Sequence, residues 1–109
     1  MAISRIVLRR VHDADGSRLL EASLTATGDL LIEGQDLGDG VERIFGSREY
    51  EWAWTISAGD LPALLHALEA TGNILSVLGE RFSGESAALL GPFLETHNIP
   101  HTRWSRVGD

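Results

Sequence analysis

The sequence predicts an α+β domain in which the strands come first and the helices follow. Residues 3–33 carry three strand-like stretches separated by turn residues, and residues 49–57 carry a fourth. Beyond residue 60 the apolar residues recur at the 3.6-residue spacing of helices. We therefore expect an antiparallel sheet of four to five strands, built on an N-terminal meander, with two to three C-terminal helices packed on one face.

The first three strands are predicted from apolar stretches between turns. Ile3 to Val11 is rich in β-branched and aliphatic residues and stops at a turn-forming cluster over residues 12–17. From Leu20 to Ala26 apolar residues alternate with polar ones, which is typical of a half-buried strand. A turn at 27–29 then leads into a third strand over Leu30 to Glu33. We expect these three strands to pair antiparallel as a meander.

The fourth predicted strand, Glu49 to Ser57, alternates large apolar residues with small and charged ones. One face therefore receives an aromatic row with an aliphatic end: Tyr50, Trp52, Trp54 and Ile56. Because no cationic run accompanies the row, and because the flanking Glu49 and Glu51 would repel phosphates, we interpret it as core beneath the leucine-rich first helix. On an exposed face the same row would form a stacking platform, which makes a small-ligand or single-stranded nucleic-acid binding domain the alternative hypothesis.

Three helices and a last strand are predicted in the C-terminal half. The first begins at Asp60 as N-cap, the second at Asn73, and the third at Ser83. Gly91-Pro92 is expected to kink or split the third helix. His101 to Val107 then looks like a strand that pairs with a sheet edge.

Length and composition exclude several classes of protein. The chain of 109 residues fits one domain, 1–109, and contains no cysteine and no lysine. Thiolate zinc sites, disulfides, cysteine nucleophiles and Schiff bases are thereby excluded. No apolar run reaches a membrane span and the start lacks the pattern of a signal peptide, so we expect a soluble, cytoplasmic protein with no membrane association.

The negative charge of the chain is concentrated in its middle. The formal net charge is −7, and residues 29–51 hold seven carboxylates against two arginines. This distribution makes nucleic acid an unfavourable partner and favours a basic protein surface. The candidate partner-binding residues are these carboxylates with one aromatic anchor: Glu33, Asp36, Asp39, Glu42, Glu49, Tyr50 and Glu51. We expect Asp39 to start a short helical turn ended by Gly46.

No pattern for metal or catalytic chemistry stands out. The carboxylates and glycines of residues 34–42 lack the ligand spacing of an EF-hand loop. His97 and His101 are separated by Pro100, which keeps them from sharing a helical face. An acid–base pair of Glu51 with a histidine such as His66 or His101 would need a contact that the sequence does not indicate. We therefore expect no enzymatic activity, no catalytic residue, no metal and no cofactor.

Four motifs resemble those of a family of small bacterial proteins without assigned activity. They are residues 33–38 (EGQDLG), Phe45-Gly46, residues 49–52 (EYEW) and residues 104–109 (WSRVGD), spread over most of the chain. The resemblance implies the fold and carries no catalytic assignment. In type, the small acidic cysteine-free chain is similar to toxin-immunity proteins, so we predict a non-enzymatic acidic protein-binding module that blocks a basic partner surface. An edge strand and an open sheet face also favour a homodimer.

Overall fold

The computed structural model describes residues 4–14, 16–38 and 49–107. They form one antiparallel sheet of five strands in the order β1-β2-β3-β4-β5, so each strand lies beside its neighbour in sequence. The strands are β1 (Arg5–Asp13), β2 (Gly16–Leu24), β3 (Leu30–Leu37), β4 (Glu49–Ile56) and β5 (Thr102–Val107). The predicted α+β class, with its N-terminal meander and a final edge strand, is confirmed.

The helices occupy the chain between β4 and β5. They are a 3₁₀ turn (Ala58–Asp60), α1 (Leu61–Ala67), α2 (Ile74–Arg81), a 3₁₀ segment (Gly84–Leu89) and α3 (Leu90–Thr96). The predicted cap of α2 is confirmed, because the Asn73 side chain accepts hydrogen bonds from the backbone N–H groups of Leu75 and Ser76. In the described ranges, each helix falls short of the length and apolarity that a bilayer crossing requires.

Two predictions about the helices differ from the structure, one for a cap and one for a break. Asp60 precedes α1, but its carboxylate accepts from the Ser57 hydroxyl at 2.8 Å and caps no helix N–H, because the 3₁₀ turn runs directly into α1. The third helix is split before Gly91-Pro92 rather than at it. Pro92 lies in the first turn of α3, where a missing N–H removes no hydrogen bond.

The third strand is longer than predicted. The sequence ends it at Glu33, whereas β3 continues to Leu37 through Gly34, Gln35 and Asp36. These residues have low strand propensity, but each of them pairs with β2 on one side and β4 on the other. The helical turn predicted from Asp39 to Gly46 lies outside the described residues.

One face of the sheet forms the core with the helices. Register places Leu30 opposite Ile56 and Ile32 opposite Trp54, and these side chains point toward the helical layer. The buried core contains aliphatic residues from β1 to β4 and from all three α-helices, with Phe82 and Ile99: Leu8, Leu20, Ala22, Leu30, Ile32, Ile56, Leu64, Leu68, Ile74, Leu75, Val77, Leu78, Phe82, Ala87, Leu90, Leu94 and Ile99. We call this the covered face and the other the uncovered face.

Two glycines set how closely the helices approach the sheet. A Cβ atom on Gly79 of α2 would lie 2.5 Å from the Ile6 Cδ1 atom of β1. A Cβ atom on Gly91 of α3 would lie 2.7 Å from the Trp54 Cη2 atom of β4. Helix α2 therefore lies over β1 and α3 over β4, which leaves the aromatic row at the β5 side of the covered face.

The turn between β2 and β3 is also tied to the start of the helical layer. Gly28 has a φ of 85°, a backbone conformation that glycine adopts without strain, and its N–H donates to the Thr25 carbonyl at 2.9 Å. Asp29 receives a hydrogen bond from the Ala58 N–H at 2.9 Å. The predicted turn at residues 27–29 is confirmed, and its aspartate fixes the direction in which the chain leaves β4.

Candidate functional site

The uncovered face carries carboxylates at its centre. Glu33, Glu49 and Glu51 of the predicted set point to this face from β3 and β4. Gln35 lies between the last two, and its Nε2 atom donates to Glu49 Oε1 and to Glu51 Oε1 at 3.4 Å each. The side-chain amide thereby holds two carboxylates of β4 side by side.

Arginines border this face at both edges of the sheet. From β1, the Arg5 Nε atom lies 2.9 Å from Glu21 Oε2. From β5, the Arg106 Nη2 atom lies 3.2 Å from Glu51 Oε2 and 3.9 Å from Glu49 Oε1. The uncovered face thus has negative charge in the middle and positive charge at its two rims.

The crowding of carboxylates changes the acidity of one of them. The hydrogen bond that Glu49 shares with Glu51 raises the pKa of the Glu49 carboxyl above its ordinary value of 4.5, and desolvation and the charge of Glu51 act in the same direction. Gln35 and Arg106 oppose the rise by favouring the charged form. A cation that arrives from outside would favour the ionised form of the Glu49 carboxyl.

The structure divides the predicted partner-binding residues between the two faces. Asp36 and Tyr50 lie opposite each other in β3 and β4, on the covered side, with Arg18 of β2 as the next neighbour. Burial raises the pKa of the Asp36 carboxyl, while Arg18 and Arg9 counteract this. Asp39 and Glu42 lie outside the described residues. Three of the seven predicted residues therefore share one described surface.

Sequence reasoning missed a tryptophan at the rim of the uncovered face. Trp104 lies in β5 opposite Ala53, and 53% of its surface is exposed. A shallow groove of about 270 Å³ crosses the sheet from Arg5 to Trp104 and is flanked by Glu33 and Glu51. The alternation of the last strand predicts which residues share a side with Trp104, but the register that brings it beside Ala53 depends on the pairing of β4 with β5.

A second depression lies at the β5 end of the covered face. It has a volume of about 400 Å³ and an aromatic lining with one cation: Tyr50, Trp52, Trp54, Arg103, Trp104 and Ser105. The rings of Trp52 and Trp54 have centroids 4.6 Å apart and are tilted by 36°. Arg103 Cζ lies 5.7 Å from the Trp54 ring centroid, which is a cation–π distance. The aromatic row is partly buried: Trp52 and Trp54 pack against the core, with Gly91 of α3 over Trp54, and Tyr50, Trp52 and Trp54 also line the depression.

Arg103 is held in place by the residues that precede β5. It forms an ion pair with Glu95, and its Nε atom donates to His101 Nε2 at 3.2 Å. The other ring nitrogen of His101 lies 2.7 Å from the Ile99 carbonyl oxygen, so the two hydrogen bonds fit a ring that donates from Nδ1 and accepts at Nε2. The guanidinium is thereby fixed over Trp54.

The histidines considered for catalysis or metal binding lie apart from the carboxylates. His101 packs near Trp54 on the covered side, at 6.0 Å between ring centroids, whereas Glu51 points to the uncovered face. His97 stacks on Phe93 with centroids 4.2 Å apart, and His66 is exposed on α1. Across residues 4–14, 16–38 and 49–107, no three histidine, aspartate or glutamate side chains are grouped closely enough to hold a metal ion.

Comparison of this chain with protein-family models, with curated proteins and with solved structures finds no match. The resemblance carried by the four sequence motifs therefore stays a prediction.

Proposed function

We propose that the protein is a non-enzymatic protein-binding module whose uncovered sheet face binds a basic surface of a partner protein. The observation that carries the proposal is the central carboxylate group of this face, formed by Glu33, Glu49 and Glu51. Trp104 adds an exposed aromatic ring at the rim, a residue type that often anchors interfaces.

The distribution of charge supports a partner with one basic centre. Arg5 and Arg106 lie on the two outer strands, bind carboxylates of the neighbouring strands β2 and β4, and form the rims. A partner with a cationic ridge and a less basic border would match this arrangement, and complementary charge of this kind accelerates association. In its most concrete form the partner is a nuclease toxin and the protein is its immunity protein, which covers the basic cleft that binds the nucleic acid.

A pull-down from the source cell with matched variants tests the proposal. The test variant carries Glu33→Gln and Glu51→Gln, and the control variant carries Glu80→Gln and Glu85→Gln, two exposed glutamates of the helical half. Both variants lose the same net charge. We expect the control to recover the partner at the wild-type level and the test variant to recover it about tenfold less, as for the loss of interface charges. Equal recovery by the two variants would contradict a role of the uncovered face.

The depression beside β5 supports a second candidate, the binding of a small planar ligand or of single-stranded nucleic acid. The sequence argued against nucleic acid because Glu49 and Glu51 flank the aromatic row. Both carboxylates point to the opposite side of the sheet, while Arg103 lines the depression. Bases of a single strand stack on aromatic side chains of this kind, and an arginine beside them can bind the phosphates of the strand.

Tryptophan fluorescence distinguishes this second candidate. Titration with short oligonucleotides and with nucleotides should quench the emission if a base stacks on Trp52 or Trp54. The variant Arg103→Gln should weaken the quenching, whereas Glu33→Gln and Glu51→Gln should leave it unchanged. Emission that stays constant over the whole panel would rule this candidate out.

A further inference from the structure

The two edges of the sheet differ in how well they are protected from another strand. In β1 the register shifts between Val7 and Arg9, which places a bulge at Leu8, and arginines follow at positions 9 and 10. Bulges and charged side chains hinder pairing with a further chain. In contrast, β5 pairs with β4 without a register shift from Thr102 to Val107, and contains no proline. The outer edge of β5 is therefore regular.

Apolar surface is exposed on both sides of β5. All six of its residues are exposed. Trp104 on the uncovered face is 53% exposed and Val107 on the covered side is 46% exposed. A strand that paired with β5 would place its side chains beside both residues and remove part of their surface from water.

The charges of β5 are compensated within the chain. Arg106 lies 3.2 Å from Glu51, and Arg103 forms an ion pair with Glu95. A strand that carries the same two arginines would therefore meet ion pairs rather than bare cations. Like charges directly opposite each other destabilise a sheet, so this compensation matters most for self-association.

The geometry of an antiparallel pair keeps the arginines of two copies apart. In an antiparallel pair, two residues that lie opposite each other either both direct their N–H and C=O groups toward the partner strand or both direct them away from it. When a two-fold axis relates the two strands, an odd-numbered residue therefore faces an odd-numbered residue, and an even-numbered residue faces an even-numbered one. Arg103 of one copy then cannot face Arg106 of the other. A pair centred on Trp104 aligns residues 102–106, and a pair centred on Ser105 aligns residues 103–107. In both pairs each arginine faces an uncharged residue of the second copy.

We propose that β5 pairs antiparallel with β5 of a second copy of this chain, so that two five-stranded sheets join into one. The centre of the pair lies at Trp104 or Ser105. This inference rests on the strand edge and not on the carboxylates of the uncovered face, although both proposals use Trp104.

Light scattering over a micromolar to millimolar range, with Trp104→Lys as the variant, tests the inference. A lysine at this position faces either its own counterpart or Arg106 of the second copy, and it also removes the aromatic contact. We expect the wild type to be a dimer and the dissociation constant of the variant to rise at least about tenfold. The control is Val7→Lys, which adds the same charge to an exposed residue of the opposite edge strand, and should leave the dimer unchanged.

Ser105→Lys serves as a second variant in case Trp104→Lys affects folding, which urea unfolding reports, because position 105 faces either Arg103 or its own counterpart in the second copy. It should weaken the dimer while leaving the monomer folded. A wild type that remains monomeric throughout the range would overturn the inference, as would a Val7→Lys variant that weakens association as much as Trp104→Lys does.

Discussion

The indole of Trp52 lies directly over Gly34, its cross-strand partner in β3. A Cβ atom on Gly34 would overlap with ring atoms of the indole. The glycine therefore allows a large aromatic ring to pack against the backbone of the neighbouring strand, and it is buried by that ring. This contact helps to explain why a residue of low strand propensity lies in the interior of the sheet.

Replacement of this glycine should destabilise the fold. We expect Gly34→Ala to lower the free energy of unfolding by about 1–3 kcal/mol, because the Trp52 ring must move away from its packed position. Urea unfolding followed by tryptophan fluorescence measures the change and also reports the displacement of the ring. The control is Gly59→Ala, where a Cβ atom would meet no atom within 4 Å, and which should stay within about 0.5 kcal/mol of the wild type. Similar losses for the two variants would contradict the role of the indole.

The two helical glycines that touch the sheet should respond differently to alanine. At Gly91 the added atom would meet the rigid edge of the Trp54 ring, so we expect Gly91→Ala to cost about 1–3 kcal/mol. At Gly79 it would meet the end of the flexible Ile6 side chain, which can rotate away. Alanine also favours the helix over glycine by about 1 kcal/mol, and Gly79→Ala should therefore change stability by less than about 1 kcal/mol. Thermal unfolding of the two variants compares them, and a larger loss at position 79 would contradict this account of the helix contacts.

The side-chain cap of α2 should contribute to stability, whereas the residue before the next helical segment should contribute less. We expect Asn73→Ala to destabilise the protein by about 1 kcal/mol, because it leaves the N–H groups of Leu75 and Ser76 without the side-chain acceptor. Ser83 also precedes a helical segment but makes no capping hydrogen bond, so Ser83→Ala should have a smaller effect. Urea unfolding of both variants, with Asn73→Asp expected to retain most of the stability, checks the prediction.

Neutralising Glu49 should stabilise the protein at neutral pH. The pKa of this carboxyl is raised in the folded state, so folding favours its protonated form. Its contribution to stability is full below the ordinary value of 4.5 and is lost as the pH rises through the folded pKa. The variant Glu49→Gln should therefore be more stable than the wild type near pH 7, and this advantage should vanish at about pH 4.

Urea midpoints of Glu49→Gln and of the wild type, measured across this pH range, test that prediction. Glu33→Gln removes a carboxylate from the same face and shows how much the change of net charge alone contributes. An advantage of Glu49→Gln that persists unchanged at low pH would show that the pairing with Glu51 does not cause it.

The order of strands and helices follows from periodicity, and the sequence predicts it well. Alternation in β4 correctly places Trp52 and Trp54 on the side of the core, and Asn73 is recognisable as a cap. The predicted end of β3 at Glu33 was wrong, because the residues after Glu33 resemble a loop in their composition. Their strand conformation depends on pairing with β2 and β4, which no local signal contains.

The same extension of β3 explains why the predicted site was only partly a single surface. In a strand, residues three positions apart point to opposite faces, so Glu33 and Asp36 separate once both belong to β3. Trp104 and the ion pair of Arg106 with Glu51 require the register between β4 and β5. That register joins segments separated by all the helices, and the local pattern of either segment does not determine it.

The separation of β4 from β5 in the chain also has a consequence for folding. Strands β1 to β4 pair with sequence neighbours, but the outer edge of β4 stays open until residues 102–107 have been synthesised and the helices have brought them back. During this interval Trp52 and Trp54 lie on a strand with an unpaired edge, which is prone to aggregation. Glu49 and Glu51 alternate with the aromatic residues of that strand. We expect their mutual repulsion between nascent chains to protect the strand before Arg106 arrives to neutralise them.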